Sequence, residues 1–369
     1  MIYLSGLIWV ILCIYCFYAI LFCAGLYRLK KPVKNSPLIH HPNVSVVIAA
    51  RNESKNLSNL LNDMVSQDYP KDKLEIIVVD DRSTDNTWKI ITDFKNEYLN
   101  FKGIQITKKS NKMTPKKHAL SKAISSTRGE VILSTDGDCR VPPTWVTSMV
   151  TQLGNNLGII SGYSSLKTKD KLFHLLQKVD FLSLMSANAG AMGMGFLWAG
   201  SGQNLAYRKS YFNQMDGFRA VAQQISGDDI YLIQSISKIG GGAFNPDQEG
   251  AVTTLPIDTF SQFINQRIRW ASNAPGQLQS QFWFLLFLVS AFVLNVSLLF
   301  HIVLGFFTLA FLYMWLLKIF SDGIVIFSGR RMFKTPVPFH VFLLWSLIQP
   351  AYIPVIGLLG ISGRFNWKP

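Results

Sequence analysis

Charge is what this sequence has least of. Only 16% of its 369 residues are Asp, Glu, Lys or Arg, where a soluble domain carries about 25%, so a wholly water-exposed chain is excluded. Acids are scarcest, 22 against 36 basic residues, for a net charge of +14. A nucleic-acid binder is one reading of that surplus. The cations gather beside long apolar runs, however, which fits attraction to anionic headgroups, and no nucleic-acid partner is expected. Cysteine is also rare. Cys13, Cys16 and Cys23 lie in an uncharged N-terminal run and Cys139 in the polar middle, leaving no disulfide framework and no zinc spacing. Missing too is a glycine-rich dinucleotide fingerprint: "ARNESKN" stands after the first strand-like run, so a dinucleotide is not expected.

Long apolar runs are what the sequence does have. Residues 2–27 carry no charge, enough for one helix across a hydrocarbon core of about 30 Å. A signal peptide would start basic and have a shorter apolar centre. Here Arg28, Lys30, Lys31 and Lys34 come afterwards, so 1–27 reads as a retained anchor and 28–43 as a basic linker. The domain that follows is then cytoplasmic. A second block, 282–320, would be roughly 58 Å long as one helix. It is expected to fold into spans at about 282–300 and 303–328, turning near His301 to Gly305, with Lys318 and Asp322 reaching toward the interface. A third stretch, 337–361, contains Pro350 and Pro354 and either crosses or dips in and returns. The expectation is a multi-pass protein of a bacterial inner membrane, with a polar domain at 44–275 and a C-terminal membrane domain at 276–369.

The polar middle alternates strand-like and helix-like segments. "VSVVIAA" (44–50), "LEIIVVDD" (74–81), "GIQIT" and "GEVILSTDGD" read as four strands, with "ESKNLSNLLNDMVSQ", "TDNTWKIITDF" and "PKKHALSKAISS" as helices between them. Such alternation predicts an α/β fold with a mostly parallel sheet, whose ligands bind beyond the carboxyl ends of the strands. Asp80, Asp81, Asp136 and Asp138 stand at two of those ends. Carboxylates brought together there would repel, and a divalent cation, Mg²⁺ or Mn²⁺, shared with a diphosphate is the natural remedy. Asp228 and Asp229 open a further helix, where acids also serve as ordinary capping groups. In "FINQRIRWAS" (263–272), Gln266, Arg269 and Trp270 fall on one helical face. An amide, a fixed cation and an aromatic plate suit a sugar phosphate. The uncharged stretch 181–207 reads as an interfacial or buried helix, or as ordinary core, because a crossing there would put Asp138 and Asp229 on opposite sides.

The ordered set "VSVVIAARNE", "IIVVDDRSTDNT", "STDGDCRVP", "AGSGQNLAYRK", "GDD" and "QRIRW" resembles the membrane-bound glycosyltransferases of family 2, including cellulose, chitin and hyaluronan synthases and ceramide glucosyltransferases. The resemblance covers about 40–275. It implies a GT-A-type nucleotide-sugar-binding domain flanked by one N-terminal and two to three C-terminal transmembrane helices. It further implies nucleotide contacts from Asn52, Glu53, Asp81, Lys116 and Asp136, with Lys117 competing for the lysine's role. Metal would sit on Asp138 and Asp136. Asp229 would be the general base beside Asp228, and Gln266, Arg269 and Trp270 would hold diphosphate and acceptor, Arg269 stabilising the leaving group. Ala199 departs from the cysteine that several polymerising relatives carry in the corresponding loop.

The function so implied is inverting, metal-dependent transfer from a UDP-sugar to a membrane lipid with a β-glycosidic product. Two alternatives stand beside it: a processive polysaccharide synthase elongating a β-linked glycan, and a non-catalytic membrane scaffold or transporter subunit retaining the fold.

Overall fold

The structure, a computed structural model, describes residues 2–30, 41–273 and 281–365. Most of the basic linker, including Lys31 and Lys34, the boundary at 276 and Lys368 lie outside the described residues. The chain forms two compact units: residues 31–167 with 195–255, and residues 1–30 with 168–194 and 256–369. The single segment expected at 44–275 is therefore divided, because 168–194 and 256–273 cluster with the apolar helices.

The α/β unit contains β1 (Val44–Ala50), α2 (Leu57–Val65), β2 (Leu74–Asp81), α3 (Thr87–Glu97), β3 (Phe101–Ile106), α4 (Pro115–Ser125), β4 (Val131–Asp136), α5 (Trp145–Leu153), β5 (Ile159–Gly162), β6 (Ser164–Leu166), β7 (Leu205–Arg208), α7 (Lys209–Gln214), α8 (Asp228–Gly240), β8 (Gly242–Asn245) and β9 (Val252–Thr254). Seven strands form one sheet in the order β3-β2-β1-β4-β7-β5-β8, and β6 pairs with β9 separately. β3, β2, β1 and β4 are all parallel, while β7 runs antiparallel to both its neighbours. β1 and β2 can be central because their β-branched runs are apolar on both faces. Val46, Ile48, Ile76 and Val78 are fully buried, packed with Leu57, Leu61 and Met64 of α2 and Trp145 of α5. α4 opens on Pro115, whose missing N–H costs nothing at that position. Register then sets the site: Asp136 lies opposite Ala49 and Asp80 opposite Ala50, on either side of the carboxyl end of β1.

The helical unit contains α1 (Ile2–Leu29), α6 (Leu172–Gly193), α9 (Phe260–Ala271), α10 (Phe282–Leu304), α11 (Leu309–Met332) and α12 (Phe339–Ile361). Four of these, from α1, α10, α11 and α12, are long and apolar enough to cross a membrane. α10 ends at Gly305, whose left-handed backbone makes the expected turn. α12 runs unbroken past Pro350 and Pro354, so the last stretch is a single helix of spanning length. α6 is mostly buried and packs on α1, α11 and α12. Gly190 lets it touch α1, because a Cβ there would lie 2.4 Å from the Phe22 carbonyl oxygen. Small residues permit such backbone approach between helices.

Lys318 and Asp322 do not reach outward. The Lys318 side chain is 0% exposed, and its Nζ lies 2.6 Å from Asp322 Oδ2. It also bonds Gln349 Oε1 of α12, while the Tyr15 hydroxyl of α1 donates to Asp322 Oδ1. Burying two charges costs less when they neutralise each other and when neutral donors and acceptors complete the shell, which snorkelling would forgo. α1 and α11 run in the same direction, since Tyr15 meets Asp322 and Cys23 meets Ser328 eight residues on along α1.

Candidate active site

The loops after β1 and β2 are stapled together. Asn52, held at φ +54°, donates its N–H to Ser83 Oγ at 2.9 Å and accepts from the Thr84 N–H at 2.8 Å. The Glu53 N–H donates to Thr87 Oγ1, and the Ser54 N–H to Asp85 Oδ2. Asp85 also accepts from the Thr87 N–H and hydroxyl. Its slight burial favours the neutral acid, but these donors outweigh that and hold it down at about 2. Asp81 forms a two-pronged ion pair with Arg82, at 2.8 and 3.0 Å, and Asp80 accepts from the Ser83 N–H. Sequence reasoning missed Arg82, Asp85 and Thr87, although "RSTDNT" offers the Asx and hydroxyl groups that such loops use.

At the end of β4 the chain turns through Asp136, Gly137 and Asp138. Gly137 fits closely here: a Cβ would stand 3.1 Å from the Glu53 side chain, which would have to shift to admit it. Lys116 of α4 reaches this turn, with Nζ 2.8 Å from Asp136 Oδ1 and 3.7 Å from Asp228 Oδ2. Burial alone would lower the lysine's pKa, but Asp136, Asp228 and Asp229 together raise it. Lys117 takes a different partner. It is buried and donates to the Gln224 carbonyl at 2.6 Å, tethering the loop before α8.

Asp228 and Asp229 begin α8 after Gly227, whose left-handed backbone (φ +81°) makes the sharp entry. Asp229 accepts from the Ile230 N–H at 2.9 Å and from the Gly202 N–H at 3.0 Å. Burial and the adjacent Asp228 carboxylate push its pKa up to about 6, against the pull of Lys116 and the two amides. A cleft lined by Lys116, Thr135, Asp136, Gly202 and Asp228 lies between β4, α4 and α8. The structure thus brings Asp136, Lys116, Asp228 and Asp229 into one unit and one neighbourhood. Gly202 was not singled out from sequence; "GSG" was its only signal.

The expected gathering of four carboxylates is not formed, because Asp80 and Asp81 are engaged by the second loop. Among the described residues no three His, Cys, Asp or Glu side chains gather around a cation site. Asp136 and Asp138, both half-buried, still offer hard oxygen donors from one turn. Mg²⁺ takes about six oxygens and keeps several waters, and it is bound by one or two carboxylates plus phosphates. The donor set fits a cation completed by a diphosphate, not one caged by protein alone.

Gln266, Arg269 and Trp270 lie on α9, in the helical unit. Arg267, not anticipated, dominates that helix. It is buried, its Nε lies 2.7 Å from Asp180 Oδ2, and its guanidinium stacks on Trp270 at 4.1 Å and on Phe263 at 4.6 Å. Burial raises the Asp180 pKa while Arg267 pulls it down. Gln266 Oε1 accepts from Arg267 Nη1. Two of the three expected residues are therefore oriented by a fourth. Its signal was an arginine inside the apolar face set by Phe263 and Ile268.

The family model described as "Glycosyl transferase family 2" matches residues 45–215, and "Glycosyl transferase family group 2" matches 131–353. Among curated proteins, the chain is 28% identical over 315 residues to the "Probable glycosyltransferase YdaM" of Bacillus subtilis, covering 83% of this chain and 71% of that protein. It is 23% identical over 262 residues to a poly-beta-1,6-N-acetyl-D-glucosamine synthase of Staphylococcus epidermidis, covering 69% of this chain and 61% of that one. Among solved structures, the mannosyltransferase PcManGT from Pyrobaculum calidifontis, in complex with GDP-Man and Mn²⁺, superposes with a TM-score of 0.63 at 18% identity, covering 98% of this chain and 99% of that one.

Proposed function

The chain belongs to glycosyl transferase family 2, and from that premise we propose that it transfers one sugar from a UDP-sugar to the hydroxyl of a membrane lipid, with inversion. The observation that carries this reading is Lys116 bridging Asp136 and Asp228 beside the raised Asp229. It joins a diphosphate-type site to a carboxylate able to take a proton near neutrality.

In the proposed reaction the acceptor oxygen attacks the anomeric carbon, and Asp229 takes its proton. The bond to the diphosphate breaks with its electron pair on the leaving oxygen. Attack from the opposite face converts an α-linked donor into a β-linked product. The Gly202 and Ile230 N–H groups hold the Asp229 carboxylate in place through transfer. Asp138 and Asp136 would hold a divalent cation, which when bound supplies positive charge for the leaving diphosphate. Lys116 adds a fixed cation on the same side. Asn52, Glu53 and Asp81 are assigned to the nucleotide, and Gln266, Arg269 and Trp270 to diphosphate and acceptor, on the strength of the motif resemblance. The α/β unit is taken to be cytoplasmic, because Arg28, Lys30, Arg330, Arg331 and Lys334 all follow apolar helices.

A polysaccharide synthase is the second reading, and the likeness to a poly-beta-1,6-N-acetyl-D-glucosamine synthase favours it. The four helices of spanning length among the described residues are few to enclose a polymer channel, which supports the single-transfer reading. Detergent-solubilised protein incubated with UDP-sugars, GDP-mannose and extracted lipids, with products read by mass spectrometry, separates the two. One hexose added to a lipid is expected. A ladder of sugars selects the synthase, and use of GDP-mannose alone overturns the UDP assignment.

A further inference from the structure

The C-terminal end of α11 carries a feature that sugar transfer does not use. Arg330 and Arg331 close the helix, and Lys334 follows in the turn to α12. With Phe327, Thr335 and Pro336 they line a cleft of about 470 Å³, within the usual range for small-ligand sites. All three cations are exposed, and among the described residues none makes an ion pair. The turn that presents them is fixed. The Phe333 N–H donates to the Gly329 carbonyl at 2.8 Å, the Thr335 N–H to the Arg330 carbonyl at 3.2 Å, and the Thr335 hydroxyl to the Phe333 carbonyl at 3.1 Å. Lys334 itself is held at φ +48°, a backbone conformation that costs a lysine energy. The Arg330 guanidinium lies 5.8 Å from the Phe327 ring.

Cations at a helix C-terminus also complement its dipole. That role needs neither a cleft nor a third cation in a strained turn beyond the helix. The surroundings supply what it leaves out. α11 is a candidate membrane span, and Phe320 and Phe339 expose large apolar faces on the helices that flank the cleft. Because α1 runs parallel to α11, Arg28 is carried at the same end of the bundle. We propose that this cleft binds the phosphate of an anionic membrane lipid. The two arginines take phosphate oxygens through their forked N–H groups, Lys334 adds a point charge, and the acyl chains follow the apolar faces of α11 and α12.

The test uses the full chain in detergent micelles, titrated separately with short-chain phosphatidylglycerol, short-chain phosphatidylcholine and inorganic phosphate. Bound lipid is counted by native mass spectrometry, and the unfolding midpoint is followed in parallel. Phosphatidylglycerol is expected to bind saturably and to raise the midpoint, with phosphatidylcholine at least tenfold weaker and inorganic phosphate without effect. Replacing Arg330, Arg331 and Lys334 together by Gln should weaken phosphatidylglycerol at least tenfold. The charge-matched change of Lys108, Lys109 and Lys112 to Gln, on an exposed loop of the α/β unit, should not. Equal binding to the parent and the Arg330/Arg331/Lys334 variant overturns the proposal, as does saturation by inorganic phosphate without phosphatidylglycerol. Should the triple variant fail to fold, Arg331→Gln alone decides: a several-fold loss supports the site and no change refutes it.

Discussion

Each unit of this protein contains a lysine set against aspartate, and the two clusters behave oppositely. Lys318 is sealed in the helix bundle, its charge met by Asp322, with Gln349 and Tyr15 completing the hydrogen bonds. Lys116 is 26% exposed and faces more negative charge than it can cancel, with Asp136 at 2.8 Å, Asp228 at 3.7 Å and Asp229 in range. The first cluster is balanced and closed, so it fixes three helices against one another. The second is unbalanced and open, as the proposed binding of a cation and a substrate requires. Residue type does not separate scaffold from chemistry here; charge balance and access do.

The largest test of that contrast is Asp229→Asn. Sugar transfer should fall by about 10²- to 10⁴-fold, the usual contribution of a general base, with UDP affinity measured by calorimetry unchanged. Retained turnover would remove Asp229 as the base. Next comes Lys318→Met, which leaves Asp322 buried without its counter-ion and should destabilise the folded protein by about 3–5 kcal/mol. Unfolding midpoints in detergent measure this, and Lys318→Met with Asp322→Leu should recover most of the loss. Lys116→Met should behave differently, altering chemistry more than folding.

The pH profile sharpens the same point. A base raised to about 6 is lost by protonation as pH falls through that value, so the transfer rate should drop about tenfold per unit below it. Lys116→Met removes the cation that favours the Asp229 carboxylate, so the inflection should move to higher pH; an unmoved inflection breaks the assignment. The smallest expected effect is that of Asp85→Asn. Asp85 is exposed but accepts three hydrogen bonds in the loop staple, and its loss should cost about 1 kcal/mol and raise the KM for the donor.

Much of this was legible in the sequence. β1, β2 and β4 stood out because both their faces are buried, which gives each a core of consecutive apolar residues, Val131 to Leu133 in β4. The membrane helices stood out by length, and Asp136, Lys116 and Asp229 through motif order. β5 to β9 were not legible. Each is three or four residues long, too short to display a period, and β7 joins the sheet only by lying antiparallel between β4 and β5. The engagement of Asp81 by Arg82 and of Trp270 by Arg267 also escaped, since either aromatic or acid could equally have faced a ligand. Lys318 was misread because a lone charge on an apolar helix usually extends toward water, and nothing local announced that Tyr15 and Gln349 would meet it.

The division of the sheet has a consequence for how the molecule is made. β5 is synthesised well before β7 and β8, yet these two are its only sheet neighbours. On a ribosome, the parallel half β3-β2-β1-β4 can close as soon as residue 136 has emerged. β5 must then wait unpaired, with the β4 edge open, while α6 is translated, because its first partner begins at Leu205. Long-range pairing of that kind is slow, so the pause spent on α6 is the interval in which a nascent chain is most open to a chaperone, or to aggregation.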